Sequence, residues 1–564
     1  MYRITIHSRN YSEYKIVDNK TGKRLDNELV APTTSKLFNF DTFNITDEGL
    51  EIINSPARET SIAGVLVLEK NKTFGKIKDR FLYKCVPDDK RFPIFLVPYK
   101  PKIKFSKYFK NRYVIIYFKN WIDKHPVGTI DQNIGEVDEL KSFYQYQLYC
   151  RSLNASIQNF KEDAMKRYKQ QPEEELVENI IERYKVEERR DRKIITIDPK
   201  KSKDFDDAMG LIINEEYSIL SIYIANVPLI LDYLNLWGSF SKRVATIYLP
   251  DRKLPMLPTV LSDVLCSLQE GCSRFAFTID LKVNNETGEI LNYKFVNTVI
   301  NISSNYVYDS KEQEEDLVYD AIFKLVSKMN KCEKYTYNIK NCHDVVAYLM
   351  ILMNCKCAEE MSKQQQGLFR SMSFSKTFNS KDLTDNEDIQ QFLNNWHSSG
   401  GNYNKYEDLK KHEALNLDKY LHITSPIRRL VDLLNIIKIQ EILNLTQFTD
   451  NAGEFYNSWT SDKNLEFINN TMRSIRKVQS DCSLLSMCFN DKSLLEQDFK
   501  GFIFDKMVRT DLMFQYQVYL VDIKVVRRFI TSEELEINTY NDFKLYLFLD
   551  EDRLYKKIRL TLSD

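Results

Sequence analysis

The stretch "TIDPKKSKDFDDAMG", residues 196–210, sets Asp198, Asp204, Asp206 and Asp207 within ten positions, directly after an apolar, strand-like run. Carboxylates crowded this closely repel one another and hold their protons unless a cation lies among them. Oxygen-only donors select a hard divalent ion, Mg²⁺ or Mn²⁺. Two such ions about 4 Å apart can activate a water and stabilise the leaving oxygen of a phosphate ester. A calcium-binding EF-hand loop is excluded, because counting from Asp204 the fifth and sixth positions are Ala208 and Met209. By itself, the stretch reads first as a solvated acidic turn after a strand, and the rest of the chain overturns that reading.

A second stretch, "YLHITSPIRRLVDLLN" at 420–435, bears on the same chemistry. Pro426 after Ser425 predicts a helix start with Thr424 or Ser425 as cap. Free N–H groups, hydroxyls, Arg428 and Arg429 would then gather at one helix end, an arrangement that holds phosphate. Arginine grips phosphoryl oxygens in pairs, so Arg428 or Arg429 is placed to clamp a phosphate whose other side faces metal. An ordinary capped surface helix is the competing reading.

The chain has 564 residues, enough for three to five domains. Its 80 basic and 80 acidic side chains cancel, so any surface for a polyanion must be local. No apolar run reaches the roughly 18 residues of a membrane helix, and "MYRITIHSRN" lacks a signal-peptide core. These features predict an intracellular protein, cytoplasmic or nuclear, without a membrane span. The ten cysteines form no C-x-x-C pair, which argues for free thiols in a reducing compartment and against structural zinc.

Composition shifts predict an α+β multidomain chain. Residues 1–62 and 63–136 alternate short β-rich runs such as "IAGVLVLE" with turn residues and read as two small β-barrels. Residues 137–190 show helical spacing and read as a bridge; 191–495 mix strands and helices; 496–564 return to β rhythm as a third barrel. "KIKFSKYFKNRYVIIYFKNW", residues 102–121, interleaves cations with aromatics and is a candidate groove for a single strand, or else a buried strand with a basic solvated face.

Together, "TIDPKKSKDFDDA" and, some 220 residues on, "HEALNLDKYLHITSPIRRLVDLL" resemble the RNB catalytic domain of the RNase II family of exoribonucleases. "RVATIYLPDRKLPMLPTVLSDVLCSLQEG" between them resembles the family's Tyr-Leu-Pro and Pro-Met-Leu-Pro stretch, in the right order. The outer regions resemble the exosome's catalytic exonuclease: cold-shock/OB β-barrels at the N-terminus and an S1-type OB barrel at the C-terminus, without that enzyme's PIN endonuclease domain. The resemblance implies processive, hydrolytic 3′-to-5′ degradation of single-stranded RNA to nucleoside 5′-monophosphates with Mg²⁺ (or Mn²⁺). It assigns Asp198, Asp204, Asp206 and Asp207 to two metals, Arg428 to the scissile phosphate, Tyr248 to packing on the 3′-terminal nucleotide and Tyr308 to the RNA path. Arg243, Ser425 and Arg429 are further RNA-binding candidates within the matched motifs.

The chain also departs from the family pattern. Tyr223, Asn226 and Leu229 in "YIANVPL" replace usually polar positions, and Leu430 replaces a tyrosine. Ala347 and Tyr348 stand where a glutamate pair assists sugar recognition, which implies weaker discrimination of RNA from DNA. His412 and His422 keep the family spacing to Arg428, but a lone histidine is more often a hydrogen-bonded structural residue than a ligand. Two other classes stay open: a catalytically inactive RNB-fold RNA-binding protein, and a metal phosphodiesterase acting on small nucleotides. A monomer and a subunit of an exosome-like assembly are equally compatible with the sequence.

Overall fold

The computed structural model describes all residues except 26–29, 47–48, 102–108, 333–334, 337, 372–383, 385, 387–388, 391, 394–400, 413–414, 510 and 564. Part of the candidate groove at 102–121 therefore lies outside the described residues. The chain divides into two compact units. One comprises 1–154, 249–252 and 474–564; the other comprises 155–248 and 253–473.

The first unit is β-rich. Tyr2–Ile6, Tyr14–Asp18, Thr42–Thr46 and Gly49–Asn54 form a four-stranded antiparallel sheet. Ile62–Leu66, Arg80–Pro87, Phe95–Tyr99, Arg112–Asn120 and Val127–Glu136 form a barrel, closed by pairing of Ile62–Leu66 with Arg80–Pro87. The two share one core, in which Ile4, Phe38 and Phe43 lie with Phe95, Val114 and Ile116. Tyr113 to Ile116, in the candidate groove, are buried, so this part of it faces core. Five antiparallel strands between residues 499 and 562 enclose a core of Phe499, Ile503, Val518 and Phe543. The stretch expected as a single helical bridge divides: the helix Leu140–Cys150 belongs to this unit, and Gln158–Tyr168 and Glu173–Tyr184 to the other.

The second unit is built on a seven-stranded mixed sheet of β1 (Glu187–Arg189), β2 (Ile194–Asp198), β3 (Asp207–Ile213), β4 (Tyr217–Ala225), β5 (Ser273–Asn284), β6 (Ile290–Asn301) and β7 (Ser304–Val307). Its order is β1-β6-β5-β4-β3-β2-β7, with only the two outermost pairings parallel. Strand alternation gives the sheet two chemically different faces. On one, Ile195, Ile197, Leu220, Ile222, Ile224, Phe277, Ile279 and Leu281 pack against α1 (Leu317–Cys332), α2 (Cys342–Lys363) and α3 (Leu430–Ile442). On the other, Arg189 is fully buried and grips Asp280 with two bonds of 2.8 and 2.7 Å, while Ser221 donates to the same carboxylate at 2.7 Å.

Local chemistry sets the element ends. A capping box starts α2: Asn341 accepts from the Asp344 N–H and Asp344 accepts from the Asn341 N–H. The β5–β6 hairpin turns through Gly288 at φ +77, where an added Cβ would lie 2.6 Å from the backbone of Lys328. All ten cysteines are free thiols. Among the described residues, no helix is long and apolar enough to cross a membrane.

Candidate active site

The four aspartates surround one connection. Asp198 ends β2 and Asp207 begins β3, so the two neighbouring strands deliver these carboxylates, and Asp204 and Asp206 lie in the intervening loop. That loop is tied down by a serine outside it. Ser267 Oγ accepts from the Phe205 N–H at 3.0 Å and donates to the Lys203 carbonyl at 2.8 Å. The Leu268 N–H bonds the Phe205 carbonyl at 3.0 Å and the Ala225 N–H bonds the Asp206 carbonyl at 2.8 Å. A loop of negative charge is thus fixed through its backbone, which leaves its carboxylates to other partners.

Burial and mutual repulsion shape their protonation. Burial, then Asp207 and Asp206, raises Asp198. Burial also raises Asp207, against the opposing pull of Arg428 and Arg429. Asp206 is pushed up to about 7 by burial, even though Arg428 and the Ile427 N–H favour its charged form. Three acids held above the ordinary range mark a site short of positive charge.

The cations present are side chains. Arg428 Nε lies 3.0 Å from Asp206 Oδ2, and the Ile427 N–H donates to Oδ1 at 2.9 Å. Lys253 Nζ lies 2.9 Å from Asp204 and 3.4 Å from Asp263. Neither Lys253 nor Asp263 stands out in the sequence; a Lys between Arg252 and Leu254 has no signature, and only the fold brings it to Asp204. Asp198 Oδ2 is buried without a hydrogen-bond donor, an acceptor that a hard cation would satisfy. Among the described residues, no three of these carboxylates bring donor atoms within 4.8 Å of one another, and Asp204 and Asp206 are paired with Lys253 and Arg428. Oxygen-only donors, an orphaned carboxylate oxygen and raised acids together fit a divalent ion of the Mg²⁺ or Mn²⁺ class.

The Thr-Ser-Pro-Ile-Arg-Arg segment differs from its sequence reading. The helix begins at Leu430, not Pro426, and neither Thr424 nor Ser425 caps it. Arg429 is held extended at φ −137 and ψ 126 by a β-bridge to Ala245, so Pro426–Arg428 form a turn ahead of the helix. Asp432, fully buried, ties this turn down by accepting from the Ser425 N–H and from Arg429 Nη2, both at 2.8 Å. Ser425 Oγ accepts from Arg428 Nη2 at 2.9 Å. Arg428 is therefore steered at both ends, by Ser425 and by Asp206, and its side chain stays half-exposed.

The other candidates distribute unevenly. Tyr248 is 43% exposed, and Asp204 raises its hydroxyl after the larger effect of burial. Tyr308 donates its N–H to the Asp198 carbonyl at 3.1 Å, and Asp207 and Asp198 add to the rise that burial gives its hydroxyl, so its ring neighbours the acids. Arg243 turns away: its guanidinium donates to the carbonyls of Pro255 and Ala155 at 2.6 and 2.7 Å, as a brace would. Tyr223, Leu229, Tyr348 and Leu430 are buried core residues, and Asn226 is buried in a polar cluster with Asn297 and Gln440. His422 accepts or donates at 2.8 Å with the Tyr403 hydroxyl and His412 is buried, so both act within the packing.

Residues 186–315 and 311–445 match the RNB domain model, and the four aspartates and Arg428 all fall inside these spans. Residues 186–445 thus carry an RNB domain. Ribonuclease R of Chlamydia muridarum is 27% identical over 312 residues, which cover 43% of this chain and 45% of that protein. The match thus spans about half the length of the curated relative. Solved structures share the fold of this chain, two of them as follows. RNase R of Mycoplasma genitalium, solved with ribose-methylated single-stranded RNA, superposes with a TM-score of 0.70 at 17% identity over the whole of both chains. Yeast Ssd1, described as a pseudonuclease, superposes with a TM-score of 0.60 at 12% identity over 96% of this chain and 80% of its own.

Proposed function

We propose that this protein is a hydrolytic, processive 3′-to-5′ exoribonuclease that degrades single-stranded RNA to nucleoside 5′-monophosphates. The observation that carries this reading is the set of buried and half-buried aspartates with raised pKa values at the β2–β3 connection, with Arg428 against Asp206. Asp198, Asp204, Asp206 and Asp207 would hold the divalent ions, which supply a nucleophile at neutral pH and charge stabilisation for the departing oxygen. Arg428, steered by Ser425 as well as by Asp206, would keep its orientation when Asp206 holds an ion. Its half-exposed guanidinium then faces the phosphate, where a planar fork matches the developing charge. Ser425 and Arg429 act behind it, Ser425 by orienting Arg428 and Arg429 by fixing the turn through Asp432. Tyr248, exposed and next to Asp204, offers a face for the terminal base, and Tyr308 lines the path beside Asp198 and Asp207. Stacking of this kind contributes roughly 1–3 kcal/mol per base without regard to sequence.

The Ssd1 likeness keeps the inactive RNA-binding reading as the second one, since the same fold occurs in a protein described as a pseudonuclease. A time course with 5′-labelled single-stranded RNA and Mg²⁺ separates the two. Conversion of full-length RNA to short products without a ladder, absent in Asp206→Asn and after EDTA, supports the enzyme. RNA that is bound but intact establishes the binder. A DNA oligomer of the same sequence, run alongside, reports whether Ala347 and Tyr348 in place of the acids relax sugar discrimination.

A further inference from the structure

Outside the acid cluster, the turn after β7 meets the first residues of α2. Asp309, in that turn, receives two side chains from the start of α2. Cys342 Sγ approaches Asp309 Oδ1 at 3.2 Å and His343 Nε2 approaches Asp309 Oδ2 at 3.0 Å. Among the described residues, this is the group of three or more His, Cys, Asp or Glu side chains whose donor atoms all lie within 4.8 Å of one another. Cys342 is buried, whereas Asp309 and His343 are 63% and 55% exposed, so the cluster opens to solvent on one side.

We propose that Asp309, Cys342 and His343 form a second metal site, of sulfur-nitrogen-oxygen type, that takes a borderline-soft divalent ion of the Zn²⁺ class and not Mg²⁺. Zinc bonds of about 2.0–2.3 Å in a tetrahedron put neighbouring donors roughly 3.3–3.8 Å apart. The contacts of Cys342 and His343 to Asp309, 3.2 and 3.0 Å, need to open by only a few tenths of an ångström, and the Cys342 and His343 donors already lie within 4.8 Å of each other. Binding removes the Cys342 thiol proton to solvent, and the imidazole carries its proton on Nδ1 so that Nε2 can ligate. Thiolate and imidazole donors reject hard ions, and the solvent-facing side leaves the fourth position for water. The capping box at Asn341 and Asp344 holds the first turn of α2 in place, so Cys342 and His343 are positioned before any ion arrives.

The site bears on its surroundings through Tyr308. The His343 ring stacks on Tyr308 with centroids 4.1 Å apart and planes at 5°. β7 pairs with β2 so that Val307 faces Asp198. An ion on His343 therefore fixes the ring that packs on Tyr308, next to the catalytic acids.

Co²⁺ titrated into the full chain in excess Mg²⁺ tests the assignment, because only a thiolate ligand gives the strong near-ultraviolet sulfur-to-cobalt band. The expected result is one equivalent of band-forming Co²⁺, displaced by Zn²⁺, unaffected by Asp206→Asn or by Cys332→Ser at the exposed thiol. Cys342→Ser should abolish the band and His343→Gln should weaken Co²⁺ binding at least tenfold. His343 is half-exposed, so its replacement tests the site even if Cys342→Ser fails to fold. No band in the wild-type protein, or a band unchanged in His343→Gln, overturns the proposal. Either outcome is independent of whether the protein cleaves RNA.

Discussion

Asp206→Asn should make the metal-free protein more stable while destroying the proposed activity. The side chain is fully buried and its carboxyl is held at about 7 against an ordinary 3.8. In the unfolded chain the group ionises near 3.8, so above that pH the fold is penalised, and the penalty grows until the folded group also ionises. At about 1.4 kcal/mol per pH unit, the gap of about three units amounts to about 4 kcal/mol at neutral pH. Asparagine removes the charge and keeps an oxygen to accept from the Ile427 N–H. Its amide faces Arg428, a loss of about 1 kcal/mol. The net gain of about 3 kcal/mol should raise the melting midpoint of the unit comprising 155–248 and 253–473 by roughly 5 °C in EDTA at pH 7.5. Adding Mg²⁺ should stabilise the wild type by mass action and leave the variant nearly unchanged, closing the difference. A variant that melts below the wild type in EDTA would refute the reasoning, because Asp206 would then be a net structural asset and the site would not be charge-frustrated.

Arg189→Met should cost about 3 kcal/mol or more in urea unfolding, because it strands buried Asp280 with only Lys294, 3.6 Å away and largely solvent-exposed, as counter-charge. Adding Asp280→Leu should recover most of that loss, and a double mutant as unstable as the single would contradict it. Lys253→Met removes a cation that competes for Asp204 at 2.9 Å. It should tighten Mg²⁺ binding about fivefold, equivalent to about 1 kcal/mol, in a calorimetric titration. Burial, with Arg370 contributing, depresses His412 from 6.5 to about 4. The folded protein keeps this ring neutral, so its contribution is present above pH 6.5 and is lost as pH falls toward 4. Relative to His412→Gln, the wild type should lose about 3 kcal/mol across that window, read from paired denaturation curves.

The acid cluster was legible in the sequence because its geometry is local. Two strands joined by a short loop bring Asp198 and Asp207 side by side, and Asp204 and Asp206 have little room to go elsewhere. The β rhythm of both ends was likewise legible, since alternation along a strand depends only on near neighbours. Tertiary structure decided the rest. A β-bridge from Arg429 to Ala245 postponed the helix start from Pro426 to Leu430, and no local propensity encodes a partner nearly 200 residues away. Arg243, identical in kind to Arg428, was committed to two backbone carbonyls. Arg428 instead met a buried carboxylate, because a guanidinium's role depends on which acceptors the fold sets within its reach. Lys253 reached Asp204, and Asp309 reached Cys342 and His343, by the same long-range closure. The sequence determined which chemistry was available, and the packing of the sheet and its helices determined which side chains met.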